Sequence, residues 1–180
     1  MKSRLLAIGL CALLGACADL YPPEGPAPPA PPPPPPSGPP AAFRGREMDW
    51  SAERGSATIL GSVNYQRSGK HYVCSGPVAV LTPDAPYSRR RIVQLYGSAD
   101  QASLPMEEVR SRQANRPSDE YSAYVRHASC DASGRFAFRG LPAGGWFVIV
   151  VANPDGGGQG MALMRRVETR AGGVRTVDFR

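Results

Sequence analysis

An all-β fold, a Greek-key-type sandwich of about seven or eight strands, is what this sequence predicts for residues 56–180, and three observations predict it. Apolar runs there are short and rich in Val, Ile, Phe and Tyr. Gly, Pro, Asp and Ser separate them at turn-like intervals. No amphipathic stretch long enough to serve as a crossover helix lies between successive runs, which disfavours a parallel sheet.

Taken in chain order, Ala57 to Tyr65 (ATILGSVNY) alternates as a first strand. Val78 to Leu81 follows the turn residues Ser75, Gly76 and Pro77 as a second, and Arg89 to Tyr96 (RRRIVQLY) reads as a third. Residues 97–120 are polar and charged, with a short helix expected near Pro105 to Ala114, opened by Ser103 and stopped before Pro117. Tyr121 to His127 alternates again, Arg135 to Phe138 sits between Gly134 and Gly140, and Trp146 to Val151 (WFVIVV) is apolar on both faces. Met161 to Glu168 and Val174 to Phe179 complete the set.

The motif that follows the middle strands carries a family resemblance. Cys130 to Gly156 (CDASGRFAFRGLPAGGWFVIVVANPDG) presents Asp131, Gly134, Phe136, Phe138, Leu141, Pro142, Gly144, Trp146, Val148 and Val150 at set spacings. This pattern resembles that of carboxypeptidase regulatory-like domains, whose fold is a transthyretin-like β-sandwich. Leu60-Gly61-Ser62-Val63 is similar to the opening strand of that family, and Val78 with Val80 to its second. Two departures stand out: Trp146 replaces the usual tyrosine, and residues 97–120 are an insertion. The residues agree with the resemblance on physical grounds. Asp131 is placed to cap a tight turn that Gly134 closes at positive φ, and Phe136 and Phe138, two apart on a strand, share one face.

The amino terminus is a different kind of sequence. Lys2 and Arg4 precede an apolar stretch, Leu5 to Leu14, which is shorter than the roughly 20 residues needed to span a bilayer core of about 30 Å. It reads as a secretory signal. Leu14-Gly15-Ala16-Cys17 resembles the lipobox of bacterial lipoproteins. That resemblance implies removal of residues 1–16, lipidation of Cys17 and attachment to a membrane through acyl chains. Ala18 rather than Asp follows the cysteine, which by the sorting pattern of that family implies the outer membrane, facing the periplasm. Residues 17–55 then form a lipid-anchored linker. From Pro22 to Pro40 it is almost entirely Pro, Ala and Gly, with an unbroken run from Pro31 to Pro36. Proline fixes φ and lacks an amide hydrogen, so this stretch is expected to be a stiff, disordered polyproline spacer reaching up to roughly 60 Å. At its end, Phe43 and Trp50 either pin the chain to the sandwich or stand exposed.

Cysteine use follows from the compartment. Cys11 leaves with the signal and Cys17 takes the lipid, so Cys74 and Cys130 remain in an oxidising space, where a disulfide is expected. A second arrangement stays open. His71 and His127, the two histidines, precede these cysteines at identical spacing, and His71, Cys74, His127 and Cys130 are a full tetrahedral zinc set. Residues three apart on a strand point to opposite faces, however, so each pair would need a local turn to converge.

Charge and motifs bound the function. Formal net charge is +6, and Lys70 is the sole lysine after Lys2. Arg89-Arg90-Arg91 and Arg165-Arg166 are candidate partners for phosphate groups of envelope glycolipid. The compartment disfavours nucleic acid. Nucleophile elbow, Walker loop and His-Glu-x-x-His motifs are missing, Glu107 and Glu108 are splayed neighbours, and Asp155 to Gly160 reads as a turn rather than a phosphate cradle. Neither enzyme activity nor a cofactor is expected. Two functional classes remain: an envelope lipoprotein presenting an interaction module to a protein partner, or a carbohydrate- or lipopolysaccharide-binding module. Tyr65, Tyr72, Tyr87, Tyr96, Tyr121 and Tyr124 are the aromatics that would discriminate them. Exposed, coplanar tyrosines favour sugar and a broad apolar patch favours protein.

Overall fold

β1 (Ala57–Val63) and β10 (Val174–Phe179) pair in parallel, and β7 (Arg135–Leu141) runs antiparallel along the other edge of β1, giving the three-stranded sheet β10-β1-β7. A parallel pair was not expected. It forms because its strands are the first and last of the domain, so the connection between them is the rest of the fold rather than a single crossover. This arrangement comes from a computed structural model that describes residues 43–112 and 119–180; residues 1–16, Cys17 and Pro31 to Pro36 lie outside the described residues.

The second sheet is built around β8 (Gly144–Pro154). On one side β8 pairs with β9 (Met161–Thr169), which pairs in turn with β5 (Gln101–Pro105). On the other side lie β4 (Gly76–Pro83) and then β6 (Arg126–Cys130). β3 (Lys70–Val73) joins the far end of β8 through Tyr72 and Val73 and carries β2 (Tyr65–Arg67). The core between the sheets holds Ile59, Phe138, Leu141 and Val177 from the smaller sheet against Leu81, Val148, Val150 and Leu163 from the larger. The sandwich is thus the all-β fold expected, with the Phe136 and Phe138 pair buried on one face of β7.

β8 shows why its sequence is apolar on both faces. Trp146, Val148 and Val150 enter the inter-sheet core, while Phe147 and Ile149 point the other way into a second cluster. That cluster is closed by Ile92, Leu95 and Tyr96 of α1 (Pro86–Tyr96) and Val109 of α2 (Met106–Ser111). Trp146 itself is fully buried, and its indole N–H donates to Thr169 Oγ1 at 3.1 Å, so the polar atom of this large side chain is satisfied.

Several expected elements are corrected. Arg89 to Tyr96 is part of helix α1, not a strand: Pro86 occupies its first turn, Ser88 Oγ accepts from the Ala85 amide at 2.9 Å, and Gly97 ends it at φ 74°. Residues Ile92, Leu95 and Tyr96 then recur at helical spacing on the buried face. Within the insertion, α2 is shorter than expected, and Gln101 to Pro105 is a strand. Tyr121 belongs to α3 (Asp119–Ser122), where its hydroxyl meets Thr82 Oγ1 at 2.6 Å, and the following strand begins only at Arg126. The first run breaks at Asn64 into β1 and β2, and β3 was not anticipated at all.

The segment before residue 56 also packs on the sandwich. Two short 3-10 turns, Gly45–Glu47 and Asp49–Ala52, bury Met48 completely. Trp50 meets Trp146 edge-on at 5.0 Å, and Phe43 packs against Tyr87 at 5.4 Å. Gly144 makes the tryptophan contact fit: a Cβ there would fall 2.3 Å from the Trp50 ring. Phe43 and Trp50 therefore pin the chain, and the packed structure starts ahead of the boundary expected at Ser56.

Candidate functional site

Cys74 and Cys130 are joined in a disulfide, with their Cα atoms 5.8 Å apart. The bond ties the link between β3 and β4 to the end of β6, and both cysteines are buried. Immediately after it, Asp131 Oδ1 accepts from the amides of Ser133 (2.8 Å) and Arg135 (2.9 Å), and Gly134 closes the turn at φ 71°. The Arg135 amide is the largest cause holding the Asp131 carboxyl below its ordinary range. With the thiols consumed, the tetrahedral set is not assembled. His71 instead bridges Asp155 Oδ2 (2.7 Å) and Asn64 Oδ1 (2.8 Å), fastening the β8–β9 turn to the first hairpin, and His127 stands on β6 opposite Val80. Among the described residues no group of His, Cys, Asp and Glu side chains could hold a metal ion.

The arginine clusters are likewise dispersed by local geometry. Arg165 and Arg166 are neighbours on β9 and so face opposite sides of the sheet. Arg166 Nε donates to Asp84 Oδ2 at 2.6 Å, and Arg89 donates to the same oxygen; Asp84 is itself buried, so this contact fastens the start of α1 to β9. The tyrosines do not line up as a platform. Tyr72, Tyr96 and Tyr121 are buried, Tyr65 and Tyr72 meet at 62°, and Tyr87 and Tyr121 at 58°. Burial raises the Tyr96 phenol to about 12 and raises that of Tyr121 as well.

A site that the sequence reading did not identify lies where the two sheets differ in width. The larger sheet runs β5-β9-β8-β4-β6 across, while the smaller one has three strands, β10-β1-β7. Beyond β10, the side of β5 that would face the smaller sheet has no strand of that sheet above it. Alternation puts Gln101 and Ser103 of β5 on that side, in register with Arg165 and Leu163 of β9. Tyr65 of β2 and Phe179 of β10 supply the wall, and Arg180 stands at the rim. Together they line a cleft of about 260 Å³. Its floor is polar because no partner sheet covers it; Leu163, one step inward, is fully buried. The guanidinium of Arg165 lies 5.9 Å from the centre of the Phe179 ring, with Nη2 3.5 Å from Gln101 Oε1. Carboxylates, histidines and cysteines do not contribute to the lining.

The fold places the chain among β-sandwich proteins. No protein-family model and no curated protein matches it. A solved structure does: that of PA1324 from Pseudomonas aeruginosa, described as a candidate carbohydrate-binding protein. The two share 20% identity at a TM-score of 0.59, over 77% of this chain and 97% of that one. At this identity the likeness is one of fold.

Proposed function

We propose that this chain is a non-catalytic lipoprotein of the cell envelope whose sandwich is a carbohydrate-recognition module, with the cleft between β5, β9 and β10 as the binding site. The cleft itself carries the reading. It combines amide, hydroxyl and guanidinium donors with the half-buried ring of Tyr65, the mixture that holds a sugar ring by hydrogen bonds on its rim and apolar contact on a face, while Phe179 lies buried beneath Arg165. Its volume is below the about 300 to 1,000 Å³ of sites that enclose a drug-sized ligand, which suits one residue of a glycan whose ends run into solvent. The fold shared with PA1324, named for carbohydrate binding, supports the same class.

The basic start, the short apolar run and Leu14-Gly15-Ala16-Cys17 support attachment through Cys17, and the proline run supports a module held away from an outer-membrane surface on its periplasmic side. A second reading, docking of a protein partner, is supported by a different face. Leu60 and Val174 are the large apolar residues exposed among those described, at 39% and 61%, and both lie on the uncovered side of the three-stranded sheet.

A glycan array probed with the full chain, beside Ser103→Trp, tests the site. Binding that disappears when indole fills the cleft, with the melting temperature unchanged, supports the reading. A glycan signal indifferent to Ser103→Trp refutes the site, and loss of envelope partners on Leu60→Glu with no glycan signal favours the protein-docking reading.

A further inference from the structure

The floor of the cleft, a ledge formed by β5 and β9, carries a cation. Five of the described arginines are paired with a carboxylate, Arg89 and Arg166 with Asp84, Arg112 with Glu108, Arg135 with Asp131 and Arg180 with Asp178. Arg165, the one that points into the cleft from β9, is not among them. Among the described residues it has no carboxylate within ion-pairing distance, and its one hydrogen bond is the long contact to Gln101. Its position is costly to explain by packing alone. The row of β9 facing the smaller sheet reads Met161, Leu163, Arg165, Val167, so an arginine interrupts an otherwise apolar series. Its guanidinium is held against Phe179 with most of its five N–H donors unassigned. Arg67, on the same face of β2 as Tyr65, touches Met161 Sδ at 3.9 Å and also has no carboxylate partner among the described residues. Arg180, at the rim of the cleft, is paired with Asp178 at 3.6 Å.

We infer that the ledge selects a saccharide bearing an anionic substituent, a carboxylate or a phosphate, and that Arg165 is its bidentate partner. This rests on the carbohydrate reading of the cleft and adds its ligand class. A guanidinium fork matches either oxyanion with two parallel N–H···O bonds. Gln101 and Ser103, in register with Arg165 and Leu163, then meet the neutral hydroxyls of the same ring. The ring-stacked guanidinium is already oriented, so little side-chain freedom is lost when the anion arrives. The assignment also gives the insertion a function, since β5 contributes half the floor.

The test is calorimetric titration of the full chain with a panel of hexuronic acid oligomers, phosphorylated sugars and their neutral counterparts of equal length, at low and high salt. Binding of an acidic saccharide about tenfold or more tighter than its neutral counterpart, weakened by salt, is expected. Arg165→Gln should remove about tenfold to a hundredfold of that affinity, Arg165→Lys should restore part of it, and Arg139→Gln, on the opposite side of the sandwich, should leave it unchanged. The uronate and phosphate arms identify which oxyanion is read. Equal binding of neutral and acidic sugars, or Arg165→Gln with unchanged affinity and melting temperature, overturns this inference while leaving the carbohydrate reading in place. Silence across acidic and neutral arms alike overturns both.

Discussion

Gly61→Ala is the most exacting test of the packing. Gly61 stands in the middle of β1, directly opposite Phe136 of β7, and the Phe136 ring lies across the space that a side chain would occupy. An added Cβ falls 1.9 to 2.4 Å from three ring atoms. The ring cannot simply swing aside, because Phe136 is 5% exposed and meets Phe138 edge-on at 5.9 Å. A cross-strand glycine and aromatic pair of this kind lets the ring cover the bare backbone of its partner. One methyl group should therefore cost about 1 to 3 kcal/mol as overpacking, while Phe136→Ala alone should cost about 3 to 5 kcal/mol by leaving a cavity. In the double variant the new methyl enters the space the ring vacated, so the combined loss should fall short of the sum by about 1 to 3 kcal/mol. Urea denaturation of wild type, both single variants and the double gives the coupling directly. Additive losses, or a Gly61→Ala midpoint equal to wild type, would refute the claim that the ring fills the glycine site.

The remaining expectations concern the bridge, the amino-terminal clamp and alkaline stability. Reduction of Cys74–Cys130 should lower stability by about 4 kcal/mol in the chain-entropy model for its 56-residue separation, while His127→Ala should be nearly silent; a protein unaffected by reductant, or two titratable thiols in unreduced material, would contradict the bond. Trp50→Ala should cost about 3 kcal/mol or more through loss of its contact with Trp146, whereas deletion of Pro31 to Pro36 should leave the melting temperature unchanged. Tyr96 has its pKa raised from 10.0 to about 12 by burial, so the unfolded chain ionises first and stability should be lost as pH rises from about 10 towards 12; a flat unfolding free energy across that range would dispute its burial. Cys17→Ser should leave an uncleaved, unanchored precursor, and normal mature mass with normal detergent partitioning would exclude lipidation.

Sequence made the centre of the sandwich legible and its margins much less so. Phe136 and Phe138 alternate in β7, whose preceding turn residues, Asp131 and Gly134, specify their own geometry, Trp146, Val148 and Val150 alternate in β8, and all five are buried as core residues. Arg89 to Tyr96 was misread because Ile92 and Val93 are good strand residues; the stronger evidence lay at its ends, in Pro86 and Gly97. Gln101 to Pro105 offers no such evidence. It is a strand because the edge of β9 was open to pair with it, a tertiary cause that no local pattern records. The cleft inherits that illegibility, since half of its floor is this strand. Arg165 was visible in the sequence only as one member of a basic pair, although alternation alone separates it from Arg166.

One stretch of chain accounts for both the closed and the open side of the larger sheet. β8 and β9 are apolar on the face turned away from the smaller sheet, through Phe147, Ile149, Ala162 and Met164. A bare two-layer sandwich would leave that face in water, so a third layer is required, and α1 with α2 supplies it. Between these helices the chain runs antiparallel along the edge of β9 as β5, which extends the sheet past the edge of β10. Covering one face of β9 thus adds β5, whose opposite face forms a floor with no strand of the smaller sheet above it. Shortening the insertion to remove Gln101–Pro105 would abolish the ledge and also cut the path between α1 and α2. The cleft and the third layer are therefore inseparable in this fold, and the ledge is best altered by point substitution at Gln101, Ser103 or Arg165.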